Sequence, residues 1–239
     1  MMMPRSPPLL RACLALIALA TAAGASVPAA SAEPSVQARV ETLSRSAPAI
    51  DRKVLALATR ALSCARRSSL VGDAKVMGVI DYSLPSTKPR MWVFDLKRNR
   101  LLYEELVAHG RNTGENLATR FSNVEGSFMS SLGAFQTQES YVGLNGYSLR
   151  LRGLEPGVND KARERAIVIH GAPYVSKQLI ASQGRLGRSL GCPALRPAIA
   201  RQVIDTIREG AFLFAYYPDR KWLEKSPLLD SDCGLRSGK

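Results

Sequence analysis

The spacing of apolar residues changes once along the chain. Between Ser35 and Arg67 apolar residues recur three to four positions apart, the period of a helix that buries one face. Pro48 divides this stretch into a short first helix and a longer second one. From Lys75 onward the apolar runs are short and rich in β-branched and aromatic residues, which predicts strands. The chain is therefore expected to begin with helices and to continue as a mainly-β domain.

Seven apolar runs are predicted strands, and residues that favour turns separate them. They are Val76–Ile80, Met91–Leu96, Leu101–Ala108, Leu132–Thr137, Tyr147–Leu151, Ala166–His170 and Ala211–Tyr217. Asn145-Gly146 gives the strongest hairpin signal, because these residue types readily adopt the positive φ angles of a tight turn. Two late helices are expected at Val175–Gln183 and Pro197–Glu209, the second ended by Gly210.

These elements predict a mainly-β (α+β) fold. We expect a helical N-terminal extension at residues 33–70, the main domain at residues 71–225 and a C-terminal tail at residues 226–239. The composition agrees, since 239 residues with 46% hydrophobic and 22% charged residues suit one folded domain and exclude a disordered chain.

The first 32 residues have the three parts of an export signal. Arg5 and Arg11 are positive, Leu14–Ala23 is an uncharged apolar run, and residues 30–32 are the small residues that signal peptidase requires. The apolar run is too short for a transmembrane helix, which needs about 20 residues. We predict a signal peptide at residues 1–32, cleaved after Ala32, and export to the periplasm or cell envelope. A buried N-terminal helix is the alternative.

Cleavage would change both the charge and the cysteine count. The formal charge would fall from +13 to +11 because two arginines are lost, and loss of Cys13 would leave Cys64, Cys192 and Cys233. An odd number of cysteines in an exported protein suggests one disulfide and one free thiol. The basic residues are scattered, without a nucleic-acid-binding motif. We therefore interpret the charge as attraction to an anionic cell wall or membrane face.

The residues with the clearest chemical potential lie near the end of the domain. A predicted strand ends at His170 and is followed by Gly171, and Cys192 comes later in a glycine-rich loop. An imidazole beside a thiol favours its thiolate, and backbone N–H groups beside a nucleophile can form an oxyanion hole. The alternatives are a cysteine that is simply a small buried hydrophobe and a structural histidine. His109, which also precedes a glycine, is the only competing base.

This region resembles the YkuD-type murein L,D-transpeptidase catalytic domain, in its variant with GRS-x-GCPA, here at residues 187–194. Further matching segments follow in order along residues 55–222. They are Val79–Arg90, Ala108–Asn116, Gln138–Gly157, Arg163–Gly171 and Ala211–Pro218. The resemblance implies a YkuD-like β-sandwich or barrel that acts as a cysteine-dependent acyltransferase.

The resemblance also implies a role for each residue of the motif. Cys192 matches the nucleophile, His170 matches the histidine that activates it, and the carbonyl group of Gly171 would orient the imidazole. The backbone N–H groups of Ser189, Gly191 and Cys192 would form the oxyanion hole.

The chain departs from the family pattern at two places beside the nucleophile. Leu190 replaces the second histidine of most members, and Pro193-Ala194 replaces residues that usually make a polar contact to substrate. The basic mechanism is expected to be kept, while substrate selectivity stays open. Five residues are candidate substrate contacts, with a solvated surface charge as the alternative for the two arginines: Arg188, Arg196, Tyr147, Asn145 and Tyr174.

The implied reaction is ping-pong acyl transfer on peptidoglycan stem peptides. The thiolate would attack the bond between the third and fourth stem residues and release D-Ala, and a second stem, a free D-amino acid or water would take the acyl group. An L,D-carboxypeptidase or amidase is one alternative, and a non-catalytic cell-wall-binding protein is another. We expect no cofactor and no metal, no nucleic-acid partner, no membrane anchor after signal cleavage, and a monomer.

The remaining cysteines follow from that assignment. If Cys192 must stay a thiol, Cys64 and Cys233 are left to form the disulfide. The bond would join the end of the second helix to the C-terminal tail. Closing so long a loop is worth about 4–5 kcal/mol in the chain-entropy model.

Overall fold

The computed structural model of the protein describes residues 1–3, 34–230 and 232–233. The predicted signal peptide after Met3, with Cys13 and the predicted cleavage site, lies outside the described residues. From Pro34 onward the described residues belong to one compact unit. Within the described ranges, no helix is both long and apolar enough to cross a membrane.

Two helices begin the described domain, as the apolar spacing predicts. They are α1 (Val36–Ser46) and α2 (Arg52–Arg67). The hydroxyl oxygen of Ser35 accepts a hydrogen bond from an N–H group in the first turn of α1, and the carboxylate of Asp51 does so for α2. The apolar face of α2 is buried in the same hydrophobic core as the strands, so the helical extension packs on the main domain.

The strands of the remaining chain form one mixed eight-stranded sheet. Its strands are β1 (Val76–Asp81), β2 (Met91–Asp95), β3 (Arg100–Glu105), β4 (Gly133–Gly143), β5 (Gly146–Gly153), β6 (Val168–Gly171), β7 (Ala194–Leu195) and β8 (Phe212–Tyr216). Their order across the sheet is β3-β2-β1-β8-β4-β5-β6-β7. The β1–β8 and β6–β7 pairs are parallel, and the other pairs are antiparallel.

The two edges of this sheet approach each other. Beyond β3 the chain continues to Ala108, whose N–H group donates to the carbonyl oxygen of Ala194 in β7 at 2.9 Å. Two residues later, Gly110 forms a bridge with Ser189. The sheet therefore curls into a nearly barrel-shaped domain. The expected mainly-β fold with helices at its N-terminus is confirmed.

Three short helices complete the domain: α3 (Lys177–Gln183), α4 (Pro197–Ile207) and α5 (Arg220–Lys225). The first two were expected, but α4 ends two residues before the predicted Glu209, because Arg208 is already extended with a ψ of 159° and Glu209 has a positive φ of 60°. The strand β7 and the helix α5 were not predicted. The two residues of β7 are too few to show an alternating pattern.

The C-terminal part of the chain is fixed by a buried carboxylate. Glu155 is fully buried and accepts hydrogen bonds from the indole N–H of Trp222 at 3.0 Å and the hydroxyl group of Ser226 at 2.6 Å. Its other oxygen accepts from the N–H group of Ala134 in β4 at 2.7 Å. These bonds hold α5 and the residue after it against the sheet.

A disulfide joins Cys64, near the end of α2, to Cys233, with the two Cα atoms 5.1 Å apart. The bond spans 169 positions of sequence. The predicted pairing is therefore present in the structure. Among the described residues, Cys192 is the free cysteine.

Candidate active site

Cys192 lies in a tight turn that leads into β7. The hydroxyl group of Ser189 donates to the carbonyl oxygen of Cys192 at 2.6 Å, and its oxygen accepts from the N–H group of Gly191 at 3.0 Å. Gly191 has a φ of +126°, which side chains rarely allow. The hydroxyl of Ser130 on a neighbouring loop donates to the carbonyl oxygen of Gly191 at 2.9 Å. The turn is thus held from both sides.

The thiol of Cys192 faces the strand that carries His170. Its sulfur lies 3.5 Å from the N–H group of Val168 and 3.6 Å from the carbonyl oxygen of Ala166. In the parallel β6–β7 pairing His170 is opposite Ala194, so Cys192 is level with Val168, two residues before His170. The structure therefore places the two predicted catalytic residues on adjacent segments.

The imidazole of His170 is buried and has a defined tautomer. Its Nδ1 atom lies 3.1 Å from the carbonyl oxygen of Gly171. Because a carbonyl oxygen only accepts, Nδ1 carries the proton and the lone pair of Nε2 is available to take another. This is the orientation that the resemblance implies for Gly171.

Burial sets the protonation state of the pair. It lowers the pKa of His170, an effect that the hydrogen bond to Gly171 opposes. It raises the pKa of the Cys192 thiol, which the N–H group of Val168 and the charge of Arg165 oppose. The lowered pKa of His170 and the raised pKa of Cys192 both favour the uncharged forms, so the resting pair is a neutral thiol and a neutral imidazole.

Two of the three predicted oxyanion donors have other partners in this structure. The N–H group of Ser189 donates to the carbonyl oxygen of His109 at 3.0 Å, and that of Gly191 donates to the hydroxyl of Ser189. The N–H group of Cys192 acts to lower the pKa of its own thiol. The side chain of Ser189 therefore holds the turn, and the N–H group of Cys192 is left as the candidate oxyanion donor.

His109, the competing base, is fully engaged elsewhere. Its Nδ1 atom accepts from the guanidinium of Arg90 at 2.8 Å, and Nε2 lies 3.3 Å from the carbonyl oxygen of Gly114. Burial, followed by the charge of Arg90, lowers the pKa of His109 to about 4. Both ring nitrogens of His109 bind neighbouring segments, so we interpret this histidine as a structural residue.

An open cavity of about 400 Å³ reaches the thiol. Its lining combines two carboxylates, one guanidinium, one amide and apolar atoms: Glu125, Gly126, Phe128, Asn145, Glu164, Arg165, Ala166, Leu190 and Cys192. Leu190, which replaces a family histidine, is 60% exposed at this cavity. Of the five predicted substrate contacts, Asn145 lines it.

The other four predicted contacts lie outside this lining. Arg188 forms an ion pair with Glu115 at 2.5 Å, and Arg196 binds both carboxylate oxygens of Glu105 at 2.9 and 2.7 Å. The hydroxyl of Tyr147 donates to the carboxylate of Asp205 on α4 at 2.5 Å. Tyr174 lies against the loop before the nucleophile, where its carbonyl oxygen accepts a hydrogen bond from the N–H group of Gly187 at 2.9 Å. Burial, followed by Cys192, raises the pKa of Tyr174 to about 12.

The site depends on close backbone packing between Gly110 and Gly191. A Cβ atom added at Gly110 would overlap the carbonyl oxygen of Phe128 and lie 2.9 Å from the Cα atom of Gly191. We expect Gly110→Ala to displace the turn that carries Cys192. The change should cost about 1–3 kcal/mol of folding free energy and slow any reaction of Cys192 with substrate by about 100-fold. Turnover measures the second effect and urea unfolding the first.

Gly72→Ala is the matched control, because Gly72 has open space around it. Equal behaviour of the two variants would contradict the prediction.

Comparison with known proteins identifies the family. The sequence profile of the YkuD_2 family, the L,D-transpeptidase catalytic domain, matches residues 46–216. The chain belongs to this family, and the resemblance seen in the sequence is confirmed. No curated protein matches the chain.

Several solved structures are similar to the chain. An L,D-transpeptidase from Mycobacterium smegmatis is 17% identical over 60% of this chain and 59% of that chain, with a TM-score of 0.37. The helical cell shape determining protein Pgp2 from Campylobacter jejuni is 15% identical over 63% and 54%, with a TM-score of 0.40. A fused Zn-dependent amidase/peptidase/peptidoglycan-binding domain-containing protein from Clostridium acetobutylicum is 17% identical over 65% and 61%, with a TM-score of 0.35. The match covers 59% of the Mycobacterium smegmatis protein and 54% of Pgp2, which is less than two thirds of either chain.

Proposed function

We propose that the protein is a peptidoglycan L,D-transpeptidase that forms an acyl-enzyme on Cys192. The observation that carries the proposal is the arrangement of Cys192 and His170. A free thiol in a rigid turn adjoins a strand whose buried histidine has one nitrogen bound by Gly171 and the other available. Family membership supplies the reaction class, and these residues supply the chemistry.

The first half-reaction follows from the neutral resting pair. As the sulfur of Cys192 bonds to the carbonyl carbon of the donor stem, its proton passes to Nε2 of His170. The N–H group of Cys192 donates to the oxygen that becomes negative. When the carbon–nitrogen bond breaks, the imidazolium returns the proton to the leaving amino group of D-Ala. The products are a thioester on Cys192 and free D-Ala.

The second half-reaction reverses these steps with a new acceptor. An acceptor amine attacks the thioester and gives a proton to His170, and the sulfur leaves and regains that proton. An amine from a second stem gives a 3→3 cross-link, a free D-amino acid gives exchange, and water gives hydrolysis. Because the cavity is open to solvent, hydrolysis is the competing outcome that the experiment must separate.

We place this activity in the cell envelope. The disulfide between Cys64 and Cys233 supports this location, because such bonds persist in oxidising compartments. The signal-like pattern of residues 1–32 supports it independently.

The test is product analysis with disaccharide-tetrapeptides. Dimers formed with release of D-Ala support transpeptidation, and tripeptides alone support the L,D-carboxypeptidase alternative. A protein that binds the substrate and leaves it unchanged would be the non-catalytic wall-binding alternative. The last two results would each overturn the proposal.

The acidic limit of activity should lie below the ordinary titration range of histidine. Only neutral His170 can accept the thiol proton, and burial lowers its pKa from 6.5. Activity should therefore persist below pH 6.5 and fall as the pH drops through that lowered pKa. The whole chain contains two histidines, so NMR titration of the untagged protein can follow each of them. The variant His170→Gln assigns the signals. A His170 pKa above 6.5 would contradict a neutral resting pair.

A further inference from the structure

Arg165 lines the cavity beside Cys192 and has no role in the steps above. One guanidinium nitrogen donates to the carbonyl oxygen of Ser122 at 2.6 Å and to the hydroxyl of Ser131 at 2.5 Å. Another donates to the carbonyl oxygen of Met129 at 2.7 Å and to the hydroxyl of Ser127 at 3.2 Å. The charged group is therefore fixed in position against the segment that forms one wall of the cavity.

The partners of this guanidinium are all neutral. Carbonyl and hydroxyl oxygens satisfy its N–H groups but do not balance its charge, and no carboxylate of the described residues forms an ion pair with it. Its neighbour Arg163, in contrast, pairs with Glu139 at 3.0 Å. Since Arg165 is also partly removed from water, an anion formed beside it would be stabilised more than one at the open surface.

The nucleophile lines the same cavity as Arg165. The sulfur of Cys192 lies 3.6 Å from the carbonyl oxygen of Ala166, the residue that follows Arg165. Ala166 itself has a positive φ of 51°, so the chain turns sharply between the guanidinium and the strand β6. The charge of Arg165 favours the ionised thiol, and the thiol acts in return on the pKa of Arg165.

We propose that Arg165 is a positioning residue that stabilises the thiolate of Cys192 through a fixed, unpaired positive charge. The inference deepens the proposed function, because the sulfur loses its proton in that mechanism. As the proton moves from sulfur to His170, the negative charge left on sulfur forms beside the guanidinium. The hydrogen bonds to residues 122–131 keep the charge in place and hold the cavity wall to it.

The test measures the thiol itself and needs no stem peptide. Alkylation of Cys192 by iodoacetamide, in which the thiolate forms a sulfur–carbon bond and displaces iodide, is followed by mass against pH. Arg165→Gln should shift the profile about one pH unit upward and slow alkylation at pH 7 about tenfold. Arg165→Lys, which keeps the charge and loses most of the hydrogen bonds, should stay within about threefold of the unchanged protein.

Two controls separate charge from structure. Ser131→Ala removes a hydrogen bond to the guanidinium without removing the charge, and Arg163→Gln removes a nearby exposed charge; both should alkylate within about twofold of the unchanged protein. A profile for Arg165→Gln identical to that of the unchanged protein would overturn the proposal, as would equal losses in Arg165→Gln and Ser131→Ala. If Arg165→Gln does not fold, Arg165→Lys decides: retained alkylation supports the proposal and a tenfold loss overturns it.

The outcomes also separate this inference from the proposed function. A shifted alkylation profile in a protein that leaves tetrapeptides unchanged would support the thiolate role of Arg165 and overturn the transpeptidase. Dimer formation from tetrapeptides with an unshifted alkylation profile would support the transpeptidase and overturn the thiolate role of Arg165.

Discussion

Replacement of Cys192 by alanine is expected to abolish transpeptidation while leaving the fold intact. No acyl-enzyme can form without the sulfur, and the other cysteines of the described chain, Cys64 and Cys233, are joined in a disulfide. Loss of a nucleophile that acts together with its base lowers turnover by at least about 1000-fold. The sulfur accepts one weak contact from Val168, so removal of this small group should change the unfolding temperature by only a few degrees.

The measurement is the rate of dimer formation and D-Ala release at a fixed enzyme concentration. Mass analysis should show an acyl adduct on the unchanged protein and none on Cys192→Ala. Cys192→Ser is the matched variant of similar shape, and its hydroxyl, which ionises far less readily than a thiol, should leave the rate nearly as low. Activity in Cys192→Ala within tenfold of the unchanged protein would show that another group is the nucleophile.

The elements of the fold were predictable where local sequence decides them. The helix α1 begins directly after a serine that caps it, and the β4–β5 hairpin turns between Gly143 and Gly146, which has a φ of +70°. The strand β7 was missed because it has two residues and exists only through its pairing with β6 and Ala108. Pairing of that kind depends on distant chain segments, which a local pattern does not contain.

The site was predictable to the same extent. His170 and Cys192 were singled out by a strand end, a glycine loop and the family motif. Arg188 and Arg196 were selected because they are close to Cys192 in sequence, but their side chains reach Glu115 and Glu105. The direction of a side chain depends on the backbone angles of its turn, which the sequence alone does not define.

Arg165 is the converse case, a residue of the cavity that the sequence did not single out. Its sequence context, beside Arg163 and Glu164, is that of a solvated charged turn. The acceptors that fix its guanidinium come from residues 122–131, which have no regular apolar period and form no strand or helix. A residue whose role comes from such a loop is visible only once the loop has been placed against it.

Removal of the disulfide is expected to lower the free energy of unfolding by about 4–5 kcal/mol, because the bond closes a very long loop in the unfolded chain. The native fold should survive. The helix α2 is anchored by its buried apolar face, and Trp222 and Ser226 remain bound to Glu155 without the bond. The free energy of unfolding therefore decreases mainly because the unfolded chain, without the cross-link, has more conformations.

Urea unfolding of Cys64→Ala/Cys233→Ala against the unchanged protein measures this effect. The double variant should have a lower midpoint and a steeper dependence on urea, since the unfolded chain exposes more surface without the cross-link. Cys192→Ala, which keeps the disulfide, is the matched control: dithiothreitol should lower its midpoint to that of the double variant. Because Cys192 is distinct from the disulfide, the double variant should also keep the rate of the proposed transpeptidation at 25 °C. A midpoint unaffected by dithiothreitol, or three reactive thiols in the denatured, unreduced mature protein, would show that the bond does not form.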